Sequence, residues 1–146
     1  MRDRPGFALR TALWAIVACG GMAWSGIARA ENDPVYAVQD GKVDQHVFNG
    51  YRRYGDSCHR CHGPDGVGSS YAPSLTESLK RLTYEQFVDV VVNGRQNVTQ
   101  AQNNVMPPFG TTEDVILYLD DIYGYLKARS DDKLPRGRPK RIGDDG

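Results

Sequence analysis

Cys58-His59-Arg60-Cys61-His62 is the stretch on which the reading of this chain turns. Two thiols three positions apart, followed at once by an imidazole, form the pattern that attaches haem covalently. The thiols can add to the two vinyl groups of a haem, and the next residue can present a ring nitrogen to the iron. Two other uses of Cys-x-x-Cys compete. A structural zinc site needs a second pair of Cys or His ligands, and the only other cysteine is Cys19, far upstream. A thioredoxin-like redox motif needs a βαβ context, and no such pattern is present. The motif therefore predicts haem c, one group, held by Cys58 and Cys61 with His62 on the iron.

A sixth ligand that stays in place completes a haem used for electron transfer. Met106 is the candidate, 44 positions after His62 and followed by Pro107 and Pro108, which stiffen the backbone around it. The remaining methionines, Met1 and Met22, lie at the N-terminus. A thioether favours ferrous iron, so His/Met ligation raises the potential. Packing alone is the plain alternative for Met106. His46 is the competitor for the iron, and His59, between the two cysteines, is expected to be solvated.

The first thirty residues read as an export signal, cleaved after Ala30. Arg2, Arg4 and Arg10 precede an apolar run from Thr11 to Ile27, and Ala28-Arg29-Ala30 offers small residues to signal peptidase. Gly20 and Gly21 interrupt the run, so no membrane span is expected in the mature chain. Ile16-Val17-Ala18-Cys19 also fits lipid attachment at Cys19, a minor alternative. Covalent haem and export agree on a periplasmic destination.

The whole chain of 146 residues is formally neutral, so no nucleic-acid partner is expected. Without residues 1–30 it carries 14 basic and 17 acidic residues. The balance is uneven: residues 31–132 have 9 basic and 15 acidic, whereas 133–146 have 5 and 2. A domain this small has a limited core, and burying several hundred Å² of porphyrin at ~25 cal/mol/Å² would add several kcal/mol.

Residues 31–42 read as an irregular lead-in, with Pro34 and Gly41 as breakers. Asp44 can cap a helix whose apolar positions are Val47, Phe48, Tyr51 and Tyr54. Gly63-Pro64-Asp65-Gly66-Val67-Gly68 is turn-rich. Ser74 with Glu77 and Thr83 with Gln86 have capping-box spacing, predicting helices near 75–80 and 84–92, the second closed by Asn93-Gly94. A polar loop, 95–105, leads to Met106. The last helix starts at Thr111 or Thr112, with Val115, Leu119, Ile122 and Leu126 as its stripe and Ile116 and Tyr123 widening it. No strand pattern of useful length appears, so the fold class is all-α. The expected domain is 43–130, followed by a basic C-terminal tail, 131–146. Pro135, Gly137 and Pro139 disfavour a helix in that tail, which is expected to meet a partner or to be solvated rather than to serve the fold.

The chain resembles the class I c-type cytochromes over about residues 43–129. The likeness rests on Cys58, Cys61, His62 and Met106, and on Gly50, Tyr54 and Cys58 at intervals of four. Ile122-Tyr123-Gly124-Tyr125-Leu126-Lys127 resembles the family's terminal helix. The resemblance implies crossed N- and C-terminal helices around one covalent haem. Gly50 would then let the backbones approach, and Gly124 would do so from the other side; a helical glycine costs ~1 kcal/mol against alanine and should have a packing reason. It also implies that Pro73, in Pro73-Ser74-Leu75, offers its carbonyl to the His62 ring N–H, with Leu75 in the haem pocket. The tryptophan that many members place near a propionate is missing, and Tyr71, Tyr84 or Arg95 would take that role.

A shorter likeness, in Leu117–Tyr123 and Arg136–Lys140, is to the methanol-metabolism-related cytochromes that serve PQQ-dependent methanol and ethanol dehydrogenases. It implies a monomeric one-electron carrier, not an enzyme, reduced by such a dehydrogenase and oxidised by another cytochrome or a terminal oxidase. Two alternatives stand beside it. One is a haem enzyme or gas- or peroxide-responsive protein with a labile methionine, and the other an electron-transfer subunit of a different periplasmic oxidoreductase.

Overall fold

The computed structural model describes residues 35–98 and 103–144, all within one compact unit. The expected export segment, its cleavage site and Cys19 lie outside the described residues.

The lead-in is more regular than its breakers suggest. β1 (Val38–Gln39) and β2 (Lys42–Val43) pair antiparallel across Asp40-Gly41, both at positive φ (50° and 74°). Two positive φ values in a two-residue turn match the right-handed twist of a hairpin, and Asp-Gly supplies them at least cost. Val43 ends the hairpin fully buried.

Helix α1 (Gln45–Ser57) follows, capped as expected by the Asp44 carboxylate, which accepts the Val47 N–H at 2.8 Å. Val47, Phe48, Gly50 and Tyr54 form its buried face. That face crosses α6 (Leu119–Ser130), the crossing expected of the N- and C-terminal helices. The approach is set by Gly50: a Cβ there would lie 1.9 Å from the Asp121 carbonyl oxygen. Around it, His46 Nδ1 meets the Asp121 carboxylate at 3.0 Å and Asn49 donates to it at 3.2 Å. Gly124 has a different use from the one expected. A Cβ there would meet the Val35 carbonyl at 2.7 Å, so Gly124 admits the lead-in segment rather than α1.

The expected single last helix is divided. Tyr118 (φ −113°, ψ 22°) separates α5 (Glu113–Leu117) from α6, and its ring lies under the Arg53 guanidinium at 4.6 Å. The stripe Val115, Leu119, Ile122 and Leu126 is buried along both pieces, with Tyr123 beside it. Ile116, expected to widen it, is instead exposed because the helix breaks two residues later.

Between the crossed helices lie α2 (His59–His62), a 3-10 turn (Pro64–Gly66), α3 (Leu75–Ser78) and α4 (Tyr84–Asn93). Thr83 and Gln86 close the full reciprocal capping box on α4, whereas on α3 the Ser74 hydroxyl accepts from Glu77 N–H.

Two expectations of irregular chain are corrected. Within the expected polar loop 95–105, of which residues 99–102 lie outside the described residues, β3 (Arg95–Val98) pairs antiparallel with β4 (Asn103–Met106) in a register that sets Arg95 opposite Met106. Its sequence is a run of polar residues without apolar alternation, so the strand pattern does not show in one dimension. The tail, expected outside the fold, packs on it. Leu134 is buried, its carbonyl accepts from Arg129 at 3.1 Å, and β5 (Lys140–Arg141) pairs parallel with β2. The fold is thus mostly helical, with short strands at two edges. Among the described residues no helix is long and apolar enough to cross a membrane.

Candidate haem site

The chain leaves α1 at Cys58, whose N–H still bonds to the Tyr54 carbonyl at 2.9 Å, and re-enters a helix at once for His59–His62. This short hinge sorts the motif. His62 turns inward and is buried, Cys58 is half-buried, and Cys61 and His59 are exposed. Burial, and secondarily the neighbouring Cys61, pushes the Cys58 thiol up to about 11.

His62 Nδ1 stands 3.0 Å from the Pro73 carbonyl oxygen. A carbonyl can only accept, so Nδ1 carries a proton, and in the neutral ring the lone pair is then on Nε2. The loop is folded tightly to bring Pro73 there. Gly68 N–H bonds back to the His62 carbonyl at 2.8 Å, and at Gly68 (φ 89°) a Cβ would lie 2.7 Å from Ser74 N. Only glycine fits that turn. The Tyr54 hydroxyl, in turn, donates to the Gly63 carbonyl and fixes the start of the loop to α1.

His62 and Cys58 line one cavity, and Met106 lines the same cavity. The rest of the wall is apolar, from Leu75, Leu79 and Leu82, then Phe87 and Val91 of α4, then Val115, Ile122 and Leu126, with Ser78 as a polar exception. Leu75 thus lines the same cavity as His62 and Met106. Pro73 contributes its carbonyl rather than its ring, which is exposed.

Met106 is positioned from both sides. On one, β4 carries it into register with Arg95. On the other, Phe109 and Gly110 N–H groups bond to the Val91 and Val92 carbonyls at 2.9 and 3.1 Å, satisfying acceptors that the end of α4 would leave open. Gly94 (φ 74°) makes the join possible, since a Cβ there would lie 2.6 Å from the Met106 carbonyl oxygen.

His46 is not near this cavity; it is exposed and engaged by Asp121. His59 is exposed and stacks on Tyr54 at 6.3 Å. Of the three candidates for the missing tryptophan, Tyr84 is held by the Asp120 carboxylate and sits edge-on to Tyr123 at 5.0 Å. Sequence reasoning missed Asp65 and Arg129. The Asp65 carboxylate, in the turn after the motif, holds the buried Arg129 guanidinium, Arg136 Nε at 3.2 Å and Gly137 N–H at 3.1 Å. Burial disfavours its charge, but the Gly137 N–H and the Arg129 and Arg136 guanidiniums outweigh that and hold its pKa below the ordinary carboxylate value. Nothing in a one-dimensional reading marks a carboxylate whose partners are more than sixty positions away.

An apolar cavity with the Cys58 thiol, the His62 imidazole and the Met106 thioether at its wall, and with the Cys61 thiol exposed three residues further on from Cys58, fits a covalently bound haem: the walls would exclude water from the ring, and each donor suits either a vinyl carbon or iron.

Residues 46–126 match the family model described as cytochrome c oxidase, cbb3-type, subunit III. The chain is 50% identical over 113 residues to cytochrome c-553I of Paracoccus denitrificans, covering 77% of this chain but 50% of that protein. It is 43% identical over 96 residues to cytochrome c-555 of Methylococcus capsulatus, covering 65% of this chain and 72% of the relative. The crystal structure of the c-type cytochrome XoxG from Methylobacterium extorquens AM1 superposes with a TM-score of 0.65 at 46% identity, over 73% of this chain and 65% of that one. The chain thus spans half the length of cytochrome c-553I and just under two thirds of the XoxG chain. Motif, crossed helices and sequence agree that this chain is a c-type cytochrome and belongs to the family that this model describes.

Proposed function

We propose that the protein is a periplasmic one-electron carrier in which Cys58 and Cys61 bind haem c covalently and His62 and Met106 are the axial ligands. The observation that carries this reading is the placement of His62 and Met106 on one apolar cavity, with His62 Nδ1 occupied by the Pro73 carbonyl and Nε2 left free to bind. When bound, haem c supplies a ferric/ferrous couple. The chain's part is to fill both axial positions so that no substrate reaches iron, to exclude water with Leu75, Phe87, Val91 and their neighbours, and to favour the ferrous state through a thioether. The Pro73 carbonyl fixes the ring orientation of His62 and raises its basicity. Pro107 and Pro108 restrict the backbone beside Met106.

The donor we propose is a PQQ-dependent methanol or ethanol dehydrogenase, and the acceptor another cytochrome or a terminal oxidase. The likeness in Leu117–Tyr123 and Arg136–Lys140 supports this choice. Stopped-flow mixing of the purified ferric holoprotein with each dehydrogenase and its alcohol is the test. Reduction at rates that rise with dehydrogenase concentration is expected; absence of reduction by either enzyme would overturn the donor assignment. Loss of the ferric absorption band at the red end of the visible spectrum in Met106→Ala is the companion test of the sixth ligand.

A further inference from the structure

A second cleft opens between α1 and the C-terminal strap (residues 133–144) on the outer side of the haem motif. Arg52 of α1, Arg138 of the strap and His59, which sits between the two cysteines, all line it. Two carboxylates also reach it, but both are engaged: Asp65 by Arg129, Arg136 and Gly137 N–H, and Asp56 by Arg53 at 3.7 Å. Among the described residues, neither Arg52 nor Arg138 has a carboxylate within ion-pair distance. The strap cannot swing freely, because Gly137 is tied to Asp65 and the Arg138 guanidinium lies over the Phe48 ring at 5.6 Å. Arg52 and Arg138 therefore bring two guanidiniums to the lining of one concave site, where their planar forks match a carboxylate. Holding the strap that bears Arg138 in advance lowers the ordering cost of binding.

Building on the electron-carrier reading, we propose that this cleft is the docking notch for an acidic side chain of the protein partner in electron transfer. Charge complementarity chooses the partner: residues 133–146 carry 5 basic and 2 acidic residues beside a net-acidic domain, so an acidic protein surface is drawn to this edge and repelled elsewhere. A carboxylate seated between Arg52 and Arg138 sets that partner against His59, and hence against the segment that bears Cys58 and Cys61.

The test uses ¹⁵N-labelled ferrous holoprotein at low ionic strength and a hexaglutamate peptide as probe. The peptide is expected to shift the amides of Arg52, Gly55, His59, Gly137 and Arg138 saturably, and salt should reverse the shifts. Arg52→Gln with Arg138→Gln should weaken binding about fivefold while leaving the visible spectrum and the rate of reduction by ascorbate unchanged. Shifts centred elsewhere, or equal binding by the double variant, would overturn the notch. Inorganic phosphate giving the same shifts as tightly as the peptide would also overturn it, marking a small-anion site. The two readings fail separately. A dehydrogenase that reduces neither form refutes the donor assignment while peptide binding at the cleft stands; equal reduction of both forms without peptide shifts refutes the notch and keeps the carrier.

Discussion

Arg129, with only 3% of its side chain exposed, forms an ion pair with Asp65, which stands three residues past His62. One bond thus ties the terminal helix to the loop that follows the haem motif, and Arg136 and Gly137 bring the strap to the same carboxylate. Breaking a buried pair from one side leaves a charge without its counter-ion and costs about 3–5 kcal/mol. Asp65→Asn and Arg129→Met should each lower the midpoint of denaturant unfolding strongly. The double variant should lose less than the two summed, and a full cycle measures the coupling.

The same carboxylate predicts a pH dependence. Its folded pKa lies below the ordinary 3.8, so its stabilising contribution is complete above that value and disappears as pH falls through the folded pKa. The stability gap between wild type and Asp65→Asn should therefore be constant from neutral pH down to about 4 and close below it. Thermal unfolding at a series of acidic pH values would show this.

Truncation after Asp132 should destabilise the domain. It removes buried Leu134, the β2–β5 pairing and two of the partners of Asp65. Leu134 alone accounts for about 1.5–3 kcal/mol of burial. A lower melting temperature with an unchanged haem spectrum is the expected result, since no strap residue lines the haem cavity.

Gly50→Val should lower the melting temperature without touching the proposed iron ligands. Gly50→Ala suffices in principle, because the added carbon itself overlaps the Asp121 carbonyl. Overpacking of this kind costs about 1–3 kcal/mol. Calorimetry on the holoprotein would measure it.

Met106→Ala should keep haem attached, lower the reduction potential and admit carbon monoxide to the ferrous form, because the proposed ligand that would favour ferrous iron is gone. Potentiometric titration and a carbon monoxide difference spectrum would measure both.

The haem motif, the caps at Asp44 and Thr83, the Gly50 crossing and the inward stripe from Val115 to Leu126 could all be read from one dimension. Each is a local pattern in which spacing alone dictates which face a residue takes. Even the β1–β2 hairpin was written in Asp40-Gly41, a turn signal too short to stand out beside the helices. What sequence alone left undecided depends on groups that meet from distant parts of the chain. The ribbon that delivers Met106 is polar in sequence and shows no alternation, so only its backbone pairing reveals it. Gly124 faces the Val35 carbonyl rather than α1, a choice made by how the lead-in crosses α6. Composition described the strap as basic and rich in proline and glycine, which suits a solvated tail as well as a packed one. The tertiary structure decided between them, because the buried Arg129 needs a counter-charge and the Asp65 turn and the strap meet beside it.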